Sequence, residues 1–180
     1  DAVDQRPFAV VRSLSTVFFF PEDITIVSGS PSDRRRYMDI LLCQIDADYC
    51  QALSSYNRVI RQRNALLRQI RENHAGAGEL DYWDMQLAGL AALVLARRFW
   101  ATRELDVGAQ QRQKSLTGGA EELGLTYEST LAERSLLSEK EGWYKDADLA
   151  LLGDAVLSRL EEVFLQALRQ IRDEEIERGV

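Results

Sequence analysis

Between Tyr49 and Ile70 the chain sets Tyr49, Leu53, Tyr56, Ile60, Arg63, Leu67 and Ile70 at alternating intervals of four and three residues. A repeat of about 3.5 residues belongs to an α-helix that turns one edge to a long partner helix. The spacing predicts a helix over 47–73, opened by Asp46 and stopped by His74-Ala75-Gly76-Ala77-Gly78. The same rhythm then returns in Leu80, Trp83, Leu87, Leu90, Val94, Arg97 and Ala101. A second apolar line there (Met85, Ala88, Ala92, Leu95, Phe99) widens the buried face, so this helix should touch more than one neighbour. Two seamed helices joined by a short Gly-rich link predict an antiparallel hairpin.

With only 11 Gly and 3 Pro in 180 residues, little interrupts helix elsewhere. Ser30 can cap and Pro31 can begin a helix running to about Ile45. The second hairpin helix should end near Leu116, before Thr117-Gly118-Gly119. Further helices are expected at about 129–139 and 144–177. The latter carries Leu149, Leu152, Val156, Leu160, Val163, Ala167 and Ile171 on one face and stops at Arg178-Gly179. Thr16 to Phe20, closed by Pro21, reads as a short strand, Pro21-Glu22-Asp23 as a first helical turn, and Leu123 to Tyr127 as another short strand. The expected fold is mainly α: an antiparallel helical hairpin forming a short coiled-coil arm, with additional packed helices and one or two short strands. Residues 1–30 would be strand and connector, and 31–180 a helical domain.

Several functions are excluded by what the chain lacks. One histidine, His74, rules out a metal site built from several histidines. Cys43 and Cys50 are too few for a disulfide scaffold and fit no zinc spacing, which points to a reducing, cytoplasmic setting and to buried small hydrophobes. The apolar run from Leu87 to Ala96 is half a membrane span, and no signal peptide opens the chain. Beginning on Asp1, the chain reads as a piece of something longer. There is no GxxxxGK[ST], GxGxxG or GxSxG, and no nucleophile–base pair, so no catalytic residue is assigned. Paired acids such as Glu121-Glu122 and Asp173-Glu174-Glu175 read as solvated helix faces.

The net charge of −7 argues against nucleic acid, but its distribution does not. Residues 34–71 hold eight arginines against Asp39, Asp46 and Asp48. Arg34, Arg35 and Arg36 point about 100° apart on a helix, so they cannot share one partner. They would form an ionic latch or, for one of them, reach phosphate. Arg58, Arg61, Arg68 and Arg71 avoid the seam, and Arg61 and Arg68 share a face. That face would bind a DNA backbone or answer the acidic second half of the chain. Arg63 and Arg97 lie in the seams and need buried acceptors, a carboxylate such as Asp84 among them.

One segment is more specific. Pro21-Glu22-Asp23-Ile24-Thr25-Ile26-Val27-Ser28-Gly29-Ser30-Pro31-Ser32-Asp33-Arg34-Arg35-Arg36-Tyr37-Met38-Asp39 resembles the signature of the RecF family of bacterial DNA replication and repair proteins. That signature runs P-E-x-x-x-apolar-apolar-x-G-S-P-x-x-R-R-x-aromatic-apolar-D. Pro21, Glu22, Gly29, Pro31, Arg34, Arg35 and Asp39 fill its most constrained places. Tyr49, Leu53, Tyr56 and Arg58, then Gln62-Arg63-Asn64, Leu66-Leu67, Trp83-Asp84, Gln86-Leu87 and the closing Glu175-Ile176, Arg178-Gly179-Val180 continue the resemblance in family order.

The resemblance implies an SMC-like, ABC-type ATPase whose nucleotide-binding head is split by a helical insertion. This chain would be that insertion with a strand from the head. Its Walker A motif would lie before the chain, its signature and Walker B motifs after it, so the chain alone should be inactive. The parent would bind ATP, Mg²⁺ and DNA at single-stranded gaps and single-strand/double-strand junctions. It would form an ATP-dependent homodimer and help load recombinase with RecO and RecR, the arm gripping duplex DNA or coupling head closure and the dimer. Related ATPases carry a metal-sensing glutamine where this chain has Phe20-Pro21-Glu22-Asp23. Glu22 or Asp23 would replace it through a metal-bound water, or both simply cap a helix. The rival reading is a purely structural module for protein–protein docking that never touches DNA.

Overall fold

The structure, a computed structural model, describes residues 20–129 and 154–180, the side chains of Glu22 and Asp23 excepted. A short 3₁₀ turn, Pro21–Ile24, runs into one helical turn, Thr25–Ser28. Four longer helices follow: α1 (Pro31–Ile45), α2 (Ala47–Arg71), α3 (Leu80–Thr117) and α4 (Asp154–Arg178). The fold is mainly α, and no strand occurs among the described residues. The chain divides into two units, Asp1–Gln51 and Ala52–Val180.

In the first unit the start of α1 is fixed by a capping box. The Asp33 amide donates to Ser30 Oγ, and the Ser30 amide donates to Asp33 Oδ2 at 2.9 Å, so two orphan donors are satisfied reciprocally. The Ser30 hydroxyl also donates to Asp33 Oδ2 at 2.6 Å, and this bond, with that from the Ser30 amide, holds the Asp33 carboxyl below its ordinary pKa. Gly29 is needed just before, because a Cβ there would lie 2.4 Å from the Thr25 carbonyl oxygen. Asp46 ends α1 with its own amide on the Leu42 carbonyl at 2.8 Å, and its carboxylate accepts from the Tyr49 amide at 3.0 Å. The expected boundaries at Pro31, Ile45 and Asp46 are observed. Phe20, the one described residue of the expected first strand, is outside regular structure and exposed; Thr16–Phe19 lie outside the described residues. Cys43 and Cys50 are free and half-buried rather than fully buried. Burial, with Cys50 alongside, pushes the Cys43 thiol up to about 12, so it stays protonated.

In the second unit α2 and α3 form the antiparallel hairpin. Asn73 takes a positive φ of 61° in the link, and Leu66, Leu67 and Ile70 close on Leu80, with Trp83 and Ile176 against them. The buried edge of α2 is Ala52, Val59, Arg63, Leu66, Leu67 and Ile70, while Leu53 and Ile60 are half-buried. The face is therefore rotated from the expected seam, because two partners share it.

The second partner of α3 is α4, which runs antiparallel to it. Ala92, Leu95 and Ala96 interlock with Leu160, Val163 and Ala167, and Phe99, Val156 and Phe164 pack around them. Full burial of each large aliphatic contributes about 1.5–3 kcal/mol. The widened face of α3 is thus real, although Met85, placed on it by the spacing, is exposed. Gly118 ends α3 at a φ of 62°, where its lack of a Cβ removes the penalty.

The expected strand over Leu123–Tyr127 does not form. That segment has no regular secondary structure, and it lies along α3 instead. The Leu125 amide donates to Asp106 Oδ1 at 2.7 Å, and Tyr127 meets the edge of Phe99 with ring centres 5.3 Å apart. The alternation of Leu123 and Leu125 had no neighbouring strand to satisfy. The helix expected at about 129–139, and the beginning of the one expected over 144–177, lie outside the described residues.

Candidate functional site

Arg63 is fixed by helix periodicity on the inner edge of α2, where it is 2% exposed. Its Nε donates to Asp84 Oδ1 at 2.6 Å, and its two terminal nitrogens grip Glu175 at 3.0 and 2.7 Å. Asp84 is fully buried on α3, and its other oxygen accepts from Arg172 of α4 at 2.6 Å. The same Arg172 nitrogen reaches Asp81 Oδ1 at 2.6 Å. Five charged groups from three helices therefore alternate in sign. Burial works against the charge on Arg63, but bonds to Glu175 and Asp84 outweigh it and raise its pKa above the ordinary value. Arg172 is raised in the same way, with burial opposed by Asp81 and Asp84. Its Nε is buried without a hydrogen-bond partner among the described residues.

The seam and its need for an acceptor named Arg63 and Asp84. Sequence reasoning missed Glu175 and Arg172. Glu175 was expected on a solvated face with Asp173 and Glu174, yet only those two are exposed, while Glu175 turns inward. The signal was present in the spacing: Arg172, Glu175 and Ile176 stand three and four residues apart, on one helix edge.

The arginines off the seam separate by what they hold. At about 100° per residue, Arg61 and Arg68 lie about 20° apart and roughly opposite the buried edge, with Arg58 about 60° from Arg61. All three are exposed. None takes part in a hydrogen bond or ion pair among the described residues. Arg71 is exposed but donates to the Arg178 carbonyl at 2.8 Å, closing the end of α4. A Cβ on Gly179, whose φ is 73°, would come within 2.8 Å of the Arg71 guanidinium, so glycine is favoured there by its backbone angle and any other residue would displace Arg71. In the first unit Arg34 donates to the Gly29 carbonyl at 3.0 Å and more weakly to those of Val27 and Ile26, capping the helical turn before it. It uses carbonyls rather than the Asp33 or Asp39 carboxylates. Arg35 and Arg36 are exposed.

The backbone around Glu22 and Asp23 is the 3₁₀ turn Pro21–Ile24. Among the described residues no three His, Cys, Asp or Glu side chains group into a metal site. Nor is any helix among them long and apolar enough to cross a membrane.

No protein-family model matches the chain. Curated relatives do. The chain is 36% identical over 180 residues to the DNA replication and repair protein RecF of Herpetosiphon aurantiacus, covering 99% of this chain and 40% of that protein. It is 39% identical over 167 residues to that of Heliobacterium modesticaldum, covering 93% of this chain and 40% of the relative. With RecF of Roseiflexus castenholzii the identity is 34%, over 97% of this chain and 41% of the relative. A solved structure of the recombination mediator protein RecF-ATPrS in the RecFOR pathway has the same fold, with a TM-score of 0.76 at 23% identity, covering 96% of this chain and 41% of that one. These relatives, together with the signature from Pro21 to Asp39, place the chain in the RecF family of DNA replication and repair proteins, of whose length it spans about 40%.

Proposed function

We propose that this chain is the helical arm of a RecF-like repair ATPase and that the outer face of α2 grips the DNA backbone. The observation that carries the reading is the pair Arg61 and Arg68, with Arg58 beside them: exposed guanidiniums with no carboxylate among the described residues to answer them, on a helix whose inner arginine is fully engaged. Arg61 and Arg68 stand about 10 Å apart along the helix. Contacts from them to phosphate would be independent of sequence and sensitive to salt. Arg35 is a further exposed candidate; Arg34 and Arg71 are already committed to carbonyls.

The rest of the reading concerns the parent protein. It would bind ATP and Mg²⁺ and act at single-stranded gaps and single-strand/double-strand junctions. As an ATP-dependent homodimer in the cytoplasm, it would assist recombinase loading with RecO and RecR. The sequence has no phosphate loop, so the nucleotide's phosphates would be held by the parent's other segments. Glu22 or Asp23 is the proposed metal-sensing position at the junction. What the chain's own residues do is hold the three helices in register and present the arginine face.

The test is a salt titration of duplex binding by the chain and by Arg61→Ala/Arg68→Ala. The double variant should bind more weakly, and the slope of log affinity against log salt should fall by about two. An unchanged slope would remove this face from DNA binding. The docking reading, supported by exposed Leu105, Val107 and Leu116 on α3, would then stand in its place.

A further inference from the structure

The outer and inner faces of α2 belong to one rigid helix, and the inner face holds the last two turns of α4. Arg63 grips Glu175 with two nitrogens, and Arg71 bonds the Arg178 carbonyl. Ile176 enters the cluster of Leu66, Leu67, Ile70 and Leu80. From α3, Asp81 and Asp84 hold Arg172. Helix ends normally fray, since their last carbonyls lack partners and few contacts oppose opening. Here four residues within Arg172–Arg178 are anchored, three of them directly to α2 or to the cluster that α2 builds.

We infer that α2 is a relay: occupation of its outer arginine face by a DNA backbone closes and stiffens the C-terminal end of α4 through Arg63 and Arg71. The inference rests on the DNA reading above and names a regulation of the same site. For α4 to open at its end, Arg63 must give up Glu175 and Arg71 must give up the Arg178 carbonyl, which leaves α2 held by α3 alone, through Asp84 and Leu80. A ligand that binds α2 in its packed position therefore disfavours that opening, and the coupling is reciprocal. Arg63 and Arg71 act as positioning residues, since they touch α4 and not the DNA.

Hydrogen–deuterium exchange on the full 180-residue chain, with and without a saturating short DNA duplex of mixed sequence, tests this. Exchange at residues 172–178 should slow by about fivefold on binding, the lower end of ordinary coupling between sites. In Glu175→Gln, which keeps the shape but removes the charge that Arg63 grips, that slowing should be lost while protection of α2 by DNA persists. Arg71→Ala, which removes only an exposed staple, is the second arm if Glu175→Gln lowers stability; it should weaken the slowing at 177–178. Slowing confined to α2 in the wild-type chain, or slowing at 172–178 that both variants retain, would overturn the relay and leave the DNA reading intact. Failure of the duplex to bind even at low salt would overturn both.

Discussion

The two faces of α2 use the same side chain in opposite surroundings. On the inner face Arg63 is enclosed and meets Asp84 and Glu175; on the outer face Arg61 and Arg68 meet solvent. A buried guanidinium is tolerated only because every face of it finds an acceptor, and its removal from water offsets much of the Coulomb gain. An exposed one contributes almost nothing to folding and stays available for a partner. Identity of residue type says little about role. Position relative to the buried edge decides it.

Substitutions on the two faces should therefore separate cleanly. The largest effect is expected for Asp84→Ala, which strips a buried acceptor from both Arg63 and Arg172. Urea unfolding should show a loss of about 3–5 kcal/mol, and a loss below 1 kcal/mol would mean that the network is not closed as described. Gly179→Ala comes next. It forces a Cβ into a positive-φ position against Arg71, so a loss of about 1 kcal/mol or more is expected in the same assay. Arg61→Ala and Arg68→Ala should each change stability by less than about 0.5 kcal/mol, although they alter DNA affinity. A stability loss as large as that of Asp84→Ala would erase the distinction between faces.

The smallest expected effect lies in the first unit. The bonds from Ser30 depress the Asp33 pKa, so the capping box adds stability above the ordinary carboxylate range of about 4 and loses it as pH falls through the lowered value. An NMR titration should find Asp33 below that range in the wild type and returned towards it in Ser30→Ala. An ordinary midpoint in the wild type would remove the capping box as the cause.

Much of this was readable before any coordinates. Local chemistry set the ends of α1 at Ser30 and Asp46 and the end of α3 at Gly118. The 3.5-residue rhythm set the hairpin and pointed Arg63 inward toward Asp84. What stayed hidden was non-local. Glu175 lies 112 residues from Arg63, and an acid in an acidic run looks solvated until the helix opposite is known. The rotation of the α2 edge, which buries Val59 and leaves Ile60 half-buried, is likewise set by the packing around the helix and not by its own spacing. Leu123 and Leu125 alternate as a strand would, but alternation specifies a face and not a partner. Of the proposed interface, the sequence offered the Arg61 and Arg68 pairing. It did not offer the separation of Arg71, whose carbonyl acceptor on Arg178 only the fold brings near, or of Arg34, whose acceptors are local carbonyls just before α1.

The contact between α3 and α4 sets small residues among large ones: Ala92, Ala96 and Ala167 lie among Leu95, Leu160 and Val163, and Gly89 sits beneath the carboxylate of Glu161. Residues this small have almost no rotamers to adjust, so at those points the gap between the two cylinders is gauged rather than negotiated. That gap is also the distance across which Asp84 and Arg172 must reach. A single added methyl group at Ala92, which is closed in on all sides, would thus act as a shim, loosening an ionic clasp it never touches.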